Sequence, residues 1–331
     1  MRNILITGGT GYIGSILACR LEKKYCIFVL DKDKKNIFLK KNRNINFIKS
    51  NLIYFKKNYQ IIKKINPEAV IHLAAQSTID SVRSKKNSYL INNIKATENV
   101  VNIVKKLSIK KFIFSSTAAV YKEQSNPLTE SSKLLPKNIY GKTKLQNEIF
   151  IKNSFKNTIT KFCIFRFFNV CSSDKKNKIG ELHSPETHLL PIIIKKNLEN
   201  KKIYIYGNNY KTVDGTCVRD YIHVQDIVSA IIKSINYLDN NKSDVFNLGT
   251  NNGLSVLQLI NFCKNKLKSK TKVVVKKNRF GDIGKLVCGF YKAKTKLAWE
   301  PRSSSIKKLV EDELWWSRFL ILKKYKRKFI Y

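Results

Sequence analysis

Tyr140 and Lys144, in the run Tyr140-Gly141-Lys142-Thr143-Lys144, are four residues apart, so a helix through them sets a phenol and an ammonium on one face. An unperturbed phenol, with a pKa of about 10, is a poor base at neutral pH. A neighbouring ammonium and an oxidised nicotinamide both favour the phenolate and lower that pKa toward the working range. Tyr59 and Lys63 share the spacing, so spacing alone does not choose between the two pairs. Position does. Tyr140 follows an apolar run that ends in Ser115-Ser116-Thr117, hydroxyls that fall at the carboxyl edge of a sheet, where ligands bind. Tyr59 lies on an early helix expected to pack against that sheet. Tyr140 is therefore the expected base, with Lys144 beside it and Thr117 as its hydroxyl partner.

A phosphate site precedes them. The run Thr7-Gly8-Gly9-Thr10-Gly11-Tyr12-Ile13-Gly14 follows the apolar Ile4-Leu5-Ile6 and opens a helical pattern at Ile13, Ile16, Leu17 and Leu21. A strand, a glycine turn and a helix in that order aim unpartnered N–H groups at a phosphate. Gly8, Gly11 and Gly14 allow the sharp turn, the approach of a pyrophosphate and the packing of helix on strand. The second strand, Ile27 to Leu30, ends in Asp31, twenty residues after Gly11. An acidic side chain there accepts from ribose hydroxyls and repels a 2′-phosphate, so the expected cofactor is NAD. Lys32, Lys34 and Lys35 weaken that preference without reversing it.

The elements that must hold these groups alternate. Strands are expected at Ile45–Ile48, Ala69–Leu73, Lys111–Phe114 and Phe162–Phe168, and helices at Tyr59–Ile65, Tyr89–Lys106 and Tyr140–Phe155. This predicts an α/β fold: a Rossmann-type, doubly wound parallel sheet over 1–169. Beyond Asn169 the rhythm changes. Helices near Ile227–Tyr237, Val256–Leu267 and Ile306–Phe319, with strands at Ile203–Tyr206, Val245–Leu248 and Val273–Val275, predict a smaller mixed α/β substrate domain over 170–331. The basic tail from about Leu320 is expected to fray.

Composition narrows the class. In 331 residues there are 64 Lys and Arg against 23 Asp and Glu, a net charge of +41. The lysines are spread along the chain and mixed with Asn, Ile, Phe and Tyr, which reads as solvated surface rather than a nucleic-acid footprint. A positive field still favours a dianionic nucleotide substrate. Seven scattered cysteines form no CxxC, and the four histidines are far apart, so neither a disulfide framework nor a metal site is expected. No apolar run reaches the roughly 18 residues of a membrane span. The chain enters its first strand without a leader, and it is expected to be cytoplasmic.

The glycine loop, the Ser-Ser-Thr strand end and Tyr-Gly-Lys-Thr-Lys together resemble the extended short-chain dehydrogenase/reductase family. Within it, Ile205-Tyr206-Gly207-Asn208-Asn209-Tyr210 and the run from Asp214 to Asp226 are similar to the UDP-glucose 4-epimerases. Asn247-Leu248-Gly249-Thr250 and Arg279-Phe280-Gly281-Asp282 extend the likeness over nearly the whole chain. The resemblance implies tightly bound NAD and interconversion of UDP-glucose and UDP-galactose, a step of galactose metabolism, through a 4-keto sugar that turns over in the pocket. By motif it implies NAD contacts at Gly8, Gly11, Tyr12, Ile13, Gly14, Asp31, Asn51, Leu52, Leu73, Ala74, Ala75, Asn93, Tyr140, Lys144 and Phe168. It implies UDP-sugar contacts at Thr117, Asn169, His188, Leu189, Tyr206, Arg219, Arg279 and Asp282, and a homodimer built on the 89–106 and 140–155 helices. Two arginines suit a diphosphate because each guanidinium can donate bidentately. His223 is read as structural.

Several residues depart from the family pattern. Asn51 replaces Asp, Thr117 replaces Ser, Lys122 replaces Gly, Phe167 replaces Tyr, and Cys288-Gly289 replaces Ala-Asp. A 4,6-dehydratase is disfavoured because Ala118-Ala119 supply no acid after Thr117. The alternatives are a 4-epimerase of UDP-N-acetylhexosamine or UDP-uronic acid, or a basic NAD-binding protein without catalysis.

Overall fold

Ile4, Leu5 and Ile6 of β1 (Asn3–Thr7) are fully buried, and they alternate between two cores. Ile4 and Ile6 join one face and Leu5 the other. A strand covered on both sides requires that split. The computed structural model describes residues 1–33, 44–76, 89–182, 186–279 and 282–328, with side chains as far as Lys323. Lys34, Lys35, Ser77, Phe280 and Gly281 lie outside the described residues.

From β1 the chain enters α1 (Tyr12–Leu21), β2 (Cys26–Asp31), β3 (Ile45–Lys49), α2 (Phe55–Ile65) and β4 (Ala69–His72). A π-helical turn, Leu90–Lys95, leads into α3 (Ala96–Lys106), then β5 (Lys111–Thr117), α4 (Ile139–Phe155) and β6 (Lys161–Phe167). After β7 (Asn169–Cys171) come α5 (Leu189–Leu198), β8 (Ile203–Tyr206), β9 (Val218–His223), α6 (Val224–Asn240) and β10 (Asp244–Leu248). The chain closes with β11 (Gly253–Ser255), α7 (Val256–Leu267), β12 (Val273–Lys276), β13 (Lys285–Leu286), α8 (Tyr291–Leu297) and α9 (Ile306–Lys328).

Seven strands form one parallel sheet in the order β10-β6-β5-β4-β1-β2-β3. The order reverses between β1 and β4, which opens a crevice at their carboxyl ends. This is the expected Rossmann-type sheet. Its seventh strand comes from 244–248, beyond the expected division at 169/170, and α6 packs its Ile227, Ala230 and Ile231 on the same face as α1. The second half builds its own core around Leu190, Ile193, Ile260, Leu309 and Val310. There β9 is the hub, flanked by β11 and β13 and joined by β7.

Three local features add detail to the expected elements. The 89–106 helix opens with the π-helical turn, which directs Asn93 inward to complete burial; such widened turns recur at functional sites. Residues 169–171, where the rhythm of the sequence changes, form a short strand paired with Tyr221–His223. The tail expected to fray continues as helix to Lys328, since no Gly or Pro interrupts a stretch rich in Leu, Lys and Arg.

Phe246 of β10 is fully buried, with Phe165 at 5.9 Å and Tyr237 at 5.5 Å between ring centres. We expect Phe246→Ala to cost about 3–5 kcal/mol, read as a lower urea midpoint, because it empties the seam joining the second half to the sheet.

Candidate active site

The glycine loop is shaped by close approach. Gly8 has φ +71°, and a Cβ there would lie 2.6 Å from the Ala74 nitrogen, so the turns after β1 and β4 touch. A Cβ on Gly14 would lie 2.6 Å from both the Gly8 carbonyl oxygen and the Gly9 Cα. Gly11 caps α1 without any side-chain hydrogen bond, and its own Cβ direction meets only the Gly8 oxygen, at 3.2 Å. No side chain therefore closes the N–H groups of the first turn, a cradle that fits a pyrophosphate. The Asp31 carboxylate accepts from the Thr10 hydroxyl at 2.7 Å, which fixes it beside the loop. Tyr12 donates to the Ser172 carbonyl, tying the loop to the second half.

The other expected cofactor contacts fall in several settings. Asn51 accepts from Ile53 N–H at 3.2 Å, and Leu52 is buried. Leu73 and Ala74 pack at the edges of the two cores, and Ala75 follows them half-buried. The Asn93 amide clamps Gln76, accepting from its N–H at 2.7 Å and donating to its carbonyl at 3.1 Å. Phe168 lies in a small core with Ala118, Leu286 and Cys288.

Asn138 caps α4 by accepting from Gly141 N–H at 2.8 Å. A Cβ on Gly141 would lie 2.3 Å from the Ala119 carbonyl oxygen, so only glycine lets the helix start settle on the turn after Thr117. That contact sets Tyr140 beside Thr117, whose hydroxyl favours the phenolate. One turn on, buried Lys144 donates to the Ser115 carbonyl at 2.6 Å, with its ammonium 4.7 Å from the Phe114 ring centre and 5.9 Å from that of Tyr140.

The expectation that Lys144 draws the phenol toward neutrality is not met by the protein alone. Burial pushes Tyr140 up to about 12; the Thr117 hydrogen bond opposes it and nearby Tyr89 adds to it. Burial pushes Lys144 down to about 7, opposed by Glu148. Withdrawing water penalises the charged form of each group, so phenolate and ammonium are both disfavoured. Tyr59, the rival at the same spacing, stacks on Phe55 at 6.2 Å and packs against a core, as expected.

The expected UDP-sugar residues fall into separate groups. Arg219 and Asp282 both act on Tyr210 and Cys217. The Arg279 guanidinium sits 3.6 Å from the Tyr206 ring centre. Asn169 is exposed at the start of β7. His188 caps α5 and pairs through Nδ1 with Glu186 at 2.8 Å, beside Leu189. His223 is structural: buried, it accepts from Gln225 N–H and pairs with Asp312 at 3.1 Å. Among the departures, Cys288 faces the space left by Gly249, where a Cβ would meet its Sγ at 2.5 Å. Phe167 stacks on Phe165 at 6.5 Å, and Lys122 is exposed.

Sequence reasoning missed Tyr89, Asn147, Glu148 and Arg166. Asn147 donates to the Asn93 carbonyl at 2.7 Å, and Glu148 is wholly buried against Arg166. For Glu148 a signal existed, since it follows Lys144 by one further helical turn. Arg166 carried none, because a charge in a continuous apolar strand names no partner.

No group of His, Cys, Asp and Glu among the described residues is arranged to hold a metal. Residues 4–249 match the NAD dependent epimerase/dehydratase family. The chain is 33% identical over 319 residues to a UDP-glucose 4-epimerase of Halalkalibacterium halodurans, covering 95% of each protein. It superposes with a TM-score of 0.91 on the Stenotrophomonas maltophila UDP-glucose-4-epimerase with bound NAD and formylated UDP-arabinopyranose, at 26% identity over 98% of this chain and 100% of that one. The Bifidobacterium longum enzyme in complex with NAD+ and UDP gives a TM-score of 0.88 at 27% identity, over 96% of this chain and 98% of that one. We expect Gly14→Ala to purify folded by circular dichroism but with less than about a tenth of the wild-type NAD, since the added methyl displaces the pyrophosphate loop.

Proposed function

The chain belongs to the NAD dependent epimerase/dehydratase family, and we propose that its activity there is the interconversion of UDP-glucose and UDP-galactose. The observation that carries this reading is the meeting of Tyr140, Thr117 and Lys144 at the carboxyl edge of the sheet, on the crevice that the glycine loop borders. When bound, NAD supplies the acceptor and donor for the C4 hydride and a positive charge beside the phenol.

The phenolate of Tyr140 takes the proton of the sugar 4-hydroxyl and returns it after the 4-keto sugar has turned over. Thr117 hydrogen-bonds the 4-oxygen and Tyr140 together, which keeps the proton path short. Lys144, anchored on Ser115, holds the nicotinamide ribose. Gly8, Gly11, Tyr12, Ile13 and Gly14 cradle the pyrophosphate, Asp31 meets the adenosine ribose, and Asn51, Leu52, Leu73, Ala74, Ala75, Asn93 and Phe168 line the rest. Arg219 and Arg279 take the substrate diphosphate; Asn169, His188, Leu189, Tyr206 and Asp282 complete the UDP-sugar site. The excess positive charge favours capture of such a dianion. We place the working protein in the cytoplasm, with no nucleic-acid partner, and all seven cysteines are free, as a reducing compartment allows. Among the described residues no helix is long and apolar enough to cross a membrane.

The protein acts as a homodimer through α4 and the helical segment ahead of it. Ile91 is 48% exposed, and Ile149, 52% exposed, lines a groove with Ile94, Leu145 and Phe150. Two such helical faces, paired across a two-fold axis, make a four-helix seam.

Purified protein given UDP-galactose is expected to form UDP-glucose with no added cofactor; no turnover with bound NAD verified overturns the proposal. Parallel assays on UDP-N-acetylgalactosamine and UDP-galacturonate define the sugar range. Tyr140→Phe is expected to retain NAD and lose about 100- to 10,000-fold in kcat; a wild-type rate would reassign the base. Ile149→Arg is expected to sediment as a monomer where the wild type sediments as a dimer.

A further inference from the structure

Tyr140, Lys144 and Glu148 occupy successive turns of one face of α4, about 6 Å apart along the axis. Glu148 is completely buried. Its Oε1 accepts from Ser116 Oγ and from Arg166 Nε at 3.0 Å, and its Oε2 accepts from Arg166 Nη2 at 2.7 Å. Arg166 is fixed in turn: it lies 4.9 Å from the Tyr121 ring centre and donates to the Tyr121 hydroxyl at 2.7 Å and the Glu130 carbonyl at 3.2 Å. Ser116 stands between Ser115, which receives Lys144, and Thr117, which meets Tyr140.

We propose that Glu148 is a positioning residue: held by Ser116 and Arg166, its carboxylate is the counter-charge that enlarges the share of their single common proton carried by Lys144 at the expense of Tyr140. The inference rests on the epimerase reading, in which Tyr140 is the base. With the phenol displaced upward and the amine downward, the pair carries one proton over a broad pH range. That proton gives either a neutral phenol with a neutral amine or a phenolate with an ammonium. Only the second can take a proton from a sugar hydroxyl.

The groups facing Lys144 leave Glu148 to decide. From β5 come the Ser115 carbonyl and the Phe114 ring, both uncharged. From β4 comes His72, held neutral down to about 3 by burial and by Lys144 itself. From β6, Arg166 pairs with Glu148 itself and so offsets part of the negative charge that Lys144 meets. Glu148 raises Lys144, whereas burial, Thr117 and Tyr89 act on Tyr140. A negative charge one turn from the amine and two turns from the phenol favours the ammonium–phenolate form.

The test is the pH profile of kcat with UDP-galactose for holoenzyme and for Glu148→Gln, which keeps the shape and loses the charge. Well below the pKa of Lys144 the amine is protonated in both proteins, so their rates should agree. On the plateau above it the variant should fall about tenfold for each unit by which the lysine drops, its acid limb moving down by the same amount. KM and NAD content should stay as in wild type. The absorbance difference between each protein and its Tyr140→Phe counterpart reads the phenolate without turnover, and it should be smaller for Glu148→Gln. Glu148→Asp, which keeps the charge, should recover part of the plateau; should Glu148→Gln not fold, this variant carries the test, with the same displacement in smaller measure. A loss equal at every pH, or no loss, overturns the proposal. An inactive wild type overturns the epimerase reading instead, while the phenolate absorbance still decides the role of Glu148.

Discussion

A lysine ammonium taken out of water must donate to something, and Lys144 donates to the carbonyl of Ser115. The rest of the site follows from that bond. It fixes the second turn of α4 on the end of β5, while the contact of Gly141 with Ala119 fixes the first. Between those two points Tyr140 has little freedom except to face Thr117. Neither contact stabilises the molecule greatly, since a buried hydrogen bond contributes on the order of 1 kcal/mol net. What they supply is placement, on rigid elements, of groups that must work within a fraction of an ångström.

Placement has an energetic consequence. The same burial that immobilises the phenol and the amine disfavours their charged forms, so the protein alone does not hold a poised base. The structure surrounds this conflict with buried polar side chains that have partners. His72 joins the Thr7 and Thr97 hydroxyls at 2.6 and 3.0 Å, linking the glycine-loop strand to α3. Asn147 joins Thr97 and the Asn93 carbonyl, and Arg166 bridges Glu148 to Tyr121, whose hydroxyl donates to Asn247 at 2.7 Å. Asn247 belongs to β10, so the network reaches the strand contributed by the second half. Apart from the Asn147 Oδ1, buried without a hydrogen-bond partner among the described residues, groups satisfied in this way specify one arrangement, because any other leaves more donors or acceptors stranded without water.

The two halves are interleaved rather than merely joined. β10 and α6 come from the second half yet complete the sheet and core of the first. Tyr12, in the glycine loop, reaches Ser172 at the start of the second. The walls that would hold a nucleotide and a sugar are thus set by shared packing, which limits how far one can move against the other.

Much of this was legible in the residues. The glycine spacing, Asp31, the Tyr140–Lys144 interval and the Ser-Ser-Thr strand end determined the fold class, the cofactor class and the phenol to examine, because local geometry and strand–helix alternation need only neighbours in sequence. Tertiary structure decided which distant groups share a buried volume: that Arg166 answers Glu148, that β10 closes the sheet, that β7 pairs with β9. It also added a burial that raises the Tyr140 phenol in the protein alone, since a pKa depends on how much water the whole fold removes. Spacing reports which groups can meet; only packing sets the medium in which they do.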